Sequence, residues 1–228
     1  MTHNKHTTIH YKLGFTMLEL VFIIVILGIL ASLALPRMER DVTQEAADSI
    51  LSDIRYTQHL ALLDDMHEYN KPKWQQKYWR IVFASCDSSK RQYYMVGSDT
   101  SMDDATNALF ARTEAAVDPA TGFPMFGDPA ICLTDGDNNT SDRMYLTKKY
   151  NITAVTSANG CNGAKHIAFD HFGRPHHGVG FSKSTIPDHN GYMTTACVFT
   201  FTFENGKSFQ ISIQPETGYA QIVGQPNS

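Results

Sequence analysis

The side chains that could do chemistry in this chain are ten histidines, four cysteines and 23 carboxylates. His166, His171, His176, His177 and His189 fall close together in turn-rich sequence, with Asp170 and Asp188 between them. Zinc or nucleophilic chemistry would need these groups to converge, and zinc hydrolysis an open coordination position as well. No HExxH and no nucleophile elbow accompanies them, so turn and surface histidines are the expectation. A second candidate is Asp135-Gly136-Asp137-Asn138-Asn139-Thr140-Ser141-Asp142. Its Asp135, Asp137, Asn139 and Asp142 offer oxygen ligands in the manner of a calcium loop. The position that such a loop gives to glycine is Thr140, however, and the one it gives to glutamate is Leu146. Calcium is therefore weighed against a solvated turn rich in Asp and Asn, and no other cofactor is expected.

The cysteines are Cys86, Cys132, Cys161 and Cys197, with no CxxC or other metal-type spacing. Their even number suits two disulfides if the domain is exported, and buried thiols if it is not. Three connectivities are open. The pairing taken as the expectation is Cys132–Cys161, around the acidic loop, with Cys86–Cys197 tying an early strand to a late one.

The most unusual charge is Glu19. It is the one formal charge in Phe15–Leu35, an apolar run that as a helix would rise roughly 30 Å, the depth of a bilayer core. Pro36, Arg37, Glu39, Arg40 and Asp41 end the run, and Lys5 and Lys12 precede it without any acid. By the positive-inside rule this predicts one membrane-spanning helix, with a cytoplasmic N-terminus and residues 37–228 outside. A carboxylate within such a helix is costly and normally has a partner. It either reaches the interface or meets a cation from another subunit.

Beyond the run the helical period continues. Val42, Ala46, Ile50, Ile54 and Gln58 form a stripe flanked by Ala47, Leu51, Ala61 and Leu62, with Asp41, Glu45, Asp48, Asp53 and Arg55 placed mostly elsewhere. This predicts a helix to about Glu68, stopped by Asn70-Lys71-Pro72. After Lys73 the period becomes two. Strands are predicted at Tyr78–Ser85, Gln92–Val96, Met144–Leu146, His166–Asp170, Ala196–Glu204, Ser208–Gln214 and Tyr219–Val223, with a hairpin turn at Asn205-Gly206. Residues 97–130 read as an irregular insertion with one helical turn.

Gly14-Phe15-Thr16-Met17-Leu18-Glu19, followed by an apolar run ending at Pro36, resembles the signal of type IV pilins and type II secretion pseudopilins. The match covers about 25 residues. It implies cleavage by prepilin peptidase between Gly14 and Phe15, methylation of the Phe15 amine, and assembly through Glu19, Gly28 and Pro36. Glu19 would then meet the Phe15 amine of a neighbouring subunit, a buried pair that specifies register more than it adds stability. Phe169-Asp170-His171-Phe172-Gly173-Arg174-Pro175 and Ile211–Gly218 resemble segments of the H-type minor pseudopilins (GspH/FimT-like).

The expected fold is α+β and pilin-like. A long N-terminal helix, half transmembrane and half amphipathic, would pack on an antiparallel sheet. The expected segments are a leader at 1–14, an assembly helix at 15–36, its amphipathic continuation at 37–69 and a β-rich periplasmic domain at 70–228. The resemblance implies a non-enzymatic, single-pass inner-membrane subunit. Its partners would be prepilin peptidase, other pilin or pseudopilin subunits, the inner-membrane assembly platform and inner-membrane lipid. DNA is the alternative partner, with Trp74, Trp79, Tyr93 and Tyr94 as stacking candidates and Lys148, Lys149 and Lys165 as a basic patch. The formal charge of −4 argues against it, and loss of Lys5 and Lys12 with the leader would make the balance −6.

Overall fold

The computed structural model describes residues 16–68, 70–71, 74–86, 89–102, 110–127, 139–161, 163–177 and 191–225, with only the backbone of 33–41. The chain divides into two compact units, Met1–Val42 and Thr43–Ser228.

The first helix, α1, is Met17–Leu63. Thr16 starts it, its hydroxyl accepting the Glu19 N–H at 3.3 Å. This is the side-chain half of a Thr-x-x-Glu capping arrangement, and it places Glu19 in the first turn, where the helix dipole favours an anion. The helix stops at Leu63, five residues before the predicted end. Ala61 is the last buried position of its apolar face. The Asp65 carboxylate then accepts the His67 N–H at 3.0 Å, turning the backbone away from the helical path.

In the second unit the strands are β1 (Trp79–Ser85), β2 (Gln92–Gly97), β3 (Ile152–Asn159), β4 (His166–Phe169), β5 (Pro175–His176), β6 (Cys197–Phe203), β7 (Ser208–Ile213) and β8 (Ala220–Ile222). They form two antiparallel sheets, in the orders β2-β1-β4-β5 and β3-β6-β7-β8. Phe199, Phe201 and Phe203 alternate inward along β6, as the period of two requires. Phe83 of the first sheet meets Phe199 and Phe201 of the second at ring separations of 4.9 and 5.3 Å. Ala46, Ile50 and Ile54 of α1 complete this core. Tight bridges extend the β2 edge, where Ala116 and Met125 exchange backbone hydrogen bonds with Val96. The predicted insertion is held there, and its described part includes a 3₁₀ turn, Arg112–Glu114.

The pilin-like fold expected from the sequence is corrected on two points. The β region is a pair of four-stranded sheets in a mixed α/β arrangement, because β3, unread in the sequence, pairs along its whole length with β6. Among the described residues, moreover, no helix is long and apolar enough to cross a membrane. Residues 17–32, the part of the apolar run with described side chains, would rise about 24 Å as a helix against ~30 Å for a bilayer core. The transmembrane half and the single-pass inner-membrane placement drawn from it are corrected with it.

One predicted strand is also corrected. Met144–Leu146 is not extended: a 3₁₀ turn covers Asp142–Met144 and a short helix, α2, covers Leu146–Tyr150. Leu146 and Tyr150 are both buried, four residues apart, which is the helical spacing. Asn151 leaves α2 in the left-handed conformation, and Ile152-Thr153-Ala154-Val155-Thr156, β-branched at every position but Ala154, then extends as β3.

Candidate functional site

Two regions carry the side chains that matter, one in each unit. In the first unit, α1 is apolar on every side from Met17 to Leu30. Met17 is 87% exposed, Phe22 68%, and no large apolar residue there is less than 43% exposed. A helix that is hydrophobic all round is a buried element by composition, so this surface calls for a cover. A Cβ added at Gly28 would meet nothing within 4 Å, which leaves the backbone open to close approach at that point. Pro36 lies within the same helix and has no N–H to give to the carbonyl one turn back. Ser32, at that position, donates its hydroxyl to Ile29 O at 2.8 Å. Glu19 is exposed in the first turn, and Gly14 and Phe15 lie outside the described residues.

In the second unit, α1 serves as a polar clasp for the sheets. A single amide, Gln58 Nε2, donates to Gly173 O at 2.9 Å and to Thr217 O at 2.8 Å, tying a turn from each sheet to the helix. Arg55 Nη2 donates to Ala220 O at 2.9 Å. The first of these turns is the Phe169–Pro175 segment. Asp170 organises it by accepting from the backbone of Phe172 and Arg174, from Arg174 Nε at 2.7 Å, and from His176 Nε2 at 3.2 Å. Burial works against the Asp170 carboxylate, but the bonds from His176 and Arg174 outweigh it and hold its pKa at about 2.

The other charged centre was not anticipated. Asp53, expected on the polar side of the helix, is fully buried. It receives the Tyr94 hydroxyl on Oδ2 and Arg143 Nη2 on Oδ1 at 2.5 Å. Arg143 also reaches Asp118 Oδ1 at 3.1 Å. Asp118 is further satisfied by Ser141 Oγ at 2.5 Å, Thr121 Oγ1 at 3.1 Å and the Ala120 N–H at 2.9 Å. Burial raises the Asp53 pKa to about 6, against the opposing pull of Tyr94 and Arg143, while Asp118 is lowered because its donors outweigh its burial. The clue was available in the spacing: Asp53 lies three residues after Ile50 and four before Thr57, on the face that Ala46, Ile50 and Ile54 define.

The candidate ligands do not converge. His166 is buried in β4, and burial beside the Arg80 guanidinium lowers its pKa to about 3, so it is neutral. His171 sits 3.6 Å from Asp65, His176 is bound to Asp170, and the His177 N–H donates to Gly191 O. His189 and Asp188 lie outside the described residues, as do Asp135 and Asp137. The Asn139 backbone oxygen accepts from Arg112 Nη2 at 2.6 Å, and Asp142 lies 3.9 Å from Lys148. Among the described residues no group of three or more His, Cys, Asp or Glu could hold a metal ion.

Both expected disulfides are corrected. Cys161 is bonded to Cys197, with Cα atoms 4.8 Å apart. Cys86 is disulfide-bonded as well, and Cys197 is not its partner. The local reason is that β3 and β6 pair as far as Asn159↔Cys197, and Gly160 then keeps the chain against Thr195 and Ala196. The stacking candidates are otherwise engaged. Tyr93 and Tyr94 are buried, Trp74 packs edge-on to Tyr78, and Trp79 Nε1 bonds Asp64. Lys148 and Lys149 face Asp142 and Glu45.

Comparisons with protein-family models, with characterised proteins and with solved structures found no match to this chain.

Proposed function

We propose that this chain is a prepilin-type structural subunit of a type II secretion or type IV pilus system, which assembles by packing its N-terminal helix against like helices. One observation supports the reading above the others: fourteen consecutive helical positions, 17–30, are apolar or small apart from Glu19, and are exposed on all sides. A contiguous exposed apolar surface of this kind marks an interaction site. The capped helix start supports it further, because Thr16 and Glu19 fix where the helix begins, two residues after the proposed cut between Gly14 and Phe15. In this reading prepilin peptidase and other subunits are the partners, the role is structural, and Glu19 is the polar contact of the assembly surface.

The processing step can be tested by intact-mass and N-terminal peptide analysis of the full chain expressed with and without a prepilin peptidase. The expected product begins at N-methylated Phe15 only when the peptidase is present. A chain that keeps Met1–Gly14 in both, or is cut elsewhere, overturns it.

A further inference from the structure

The second unit contains a buried charge group that the proposed assembly role does not use. Asp53 of α1, Asp118 of the segment following the Arg112–Glu114 turn, and Arg143 of the Asp142–Met144 turn come from three separate parts of the chain. Among the described residues Arg143 is their one common ion-pair partner, with its Nη2 within reach of both carboxylates. With both acids ionised, the group holds two negative charges and one positive one. The two acids are not served equally. Among the described residues Asp118 accepts from Ser141, Thr121, the Ala120 N–H and Arg143, whereas Asp53 accepts from Tyr94 and Arg143.

Buried charge without full compensation is costly, and the acid with fewer donors is the one that gives up its charge. The groups facing Asp53 are few. Tyr94 comes from β2, Asp118 from the tethered insertion and Arg143 from the 3₁₀ turn. Tyr56 of α1 senses both acids and Arg143, and Tyr150 of α2 faces Tyr94. Among the described residues no second cation stands with them. When Asp53 takes a proton, its Oδ1 still accepts from Arg143, and its new O–H is directed at the Tyr94 oxygen. Asp118 remains paired with Arg143.

We propose that Asp53, Arg143 and Asp118 form a proton-operated clamp: one proton taken up by Asp53 in mild acid brings the group from a net charge of −1 to zero and fastens the segments around Asp118 and Arg143 more tightly to the helix. The sign follows from linkage. The closed form binds the proton more tightly than the opened form, in which Asp53 is solvated, so closure is favoured as pH falls towards the range of an ordinary aspartate. Because burial sets the closed-form midpoint near pH 6, each unit of acidification below it multiplies the closing equilibrium by about ten until the opened form also titrates.

Hydrogen exchange of the full chain followed by mass spectrometry, corrected for intrinsic rates, reads this directly. Amides in 112–126 and 140–146 should gain about tenfold protection between pH 7.5 and pH 5, beyond any change in β6 and β7, which supply no residue of the group. Asp53→Asn should abolish that response. Tyr94→Phe removes a donor that favours the ionised acid and should move the midpoint to higher pH, which keeps the test open if the first variant does not fold. Protection that is flat or falls on acidification overturns the clamp, as does a midpoint unmoved in Tyr94→Phe.

Discussion

Cys161 is joined to Cys197 one turn beyond the last β3–β6 pair, where Asn159 stands opposite Cys197 itself. The bond therefore locks the register of the edge strand β3 at its open end. It closes a loop with a sequence separation of 36, for which chain-entropy arguments give about 3–4 kcal/mol of stabilisation. Non-reducing peptide mapping should recover Cys161 with Cys197. Replacing both by alanine should lower stability to chemical denaturation by that amount. Recovery of Cys132 with Cys161, or of Cys86 with Cys197, would contradict the pairing.

Gly218 and Gly206 separate two effects of glycine. Both have positive φ, +65° and +79°. A Cβ on Gly206 would meet nothing, whereas one on Gly218 would run into Gly173 O and the Gln58 amide. Gly206→Ala should cost only the backbone strain, roughly 1–2 kcal/mol. Gly218→Ala should cost clearly more, because backbone must shift and the Gln58 clasp must open. Equal losses in denaturant melts would show that the turns are not packed together as described.

Gln58→Ala and Gln58→Met should each destabilise the chain by about 1–3 kcal/mol, because the Gly173 and Thr217 carbonyls lose their common donor. The methionine variant keeps most of the side-chain volume, so a loss confined to alanine would assign the effect to packing. Thermal melts of the two variants side by side decide it.

His166 sets an acid limit. Its folded pKa of about 3 lies below the ordinary histidine value, so between those limits the unfolded chain binds the proton and the folded chain does not. Its contribution is whole above pH 6.5 and is lost as pH falls towards 3, to a total of roughly 5 kcal/mol. Asp53 acts in the opposite sense, because its raised folded pKa favours the folded state as pH falls from about 6 towards 3.8. Asp170 adds a further loss below 3.8, because its folded pKa is depressed. Denaturant titrations from pH 7 to 4 should show His166→Gln losing less stability on acidification than the parent. An unchanged slope would contradict a buried neutral His166.

Periodicity made much of the second unit legible. The alternating phenylalanines of β6, the Asn205-Gly206 turn and the hairpin β1–β2 stand within a residue or so of their predicted places, because a strand with one buried face writes its period into the sequence. What remained hidden depended on pairing across long distances. The division into two sheets rests on which strands become neighbours, and the Thr/Ala/Ser composition of β3 hid its place at an edge. Asp53 was misplaced because an acid was assigned outward by type, although its spacing put it on the apolar face. Thr16 was legible as a cap from the Thr-x-x-Glu spacing and was absorbed instead into the processing motif. The disulfide pairing could not be read, since sequence leaves the connectivities equivalent until the register of β3 on β6 is known.

In the proposed assembly the apolar helix is covered by other helices of its kind. The most direct measurement is site-specific photo-cross-linking of the full chain in cells, with the reactive residue in place of Ile23 and, separately, Ile26. Adducts should map to residues 17–30 of a second copy, or to the corresponding helix of another prepilin-type subunit, and should be lost with Glu19→Val. Adducts at both positions that contain no such helix would contradict it.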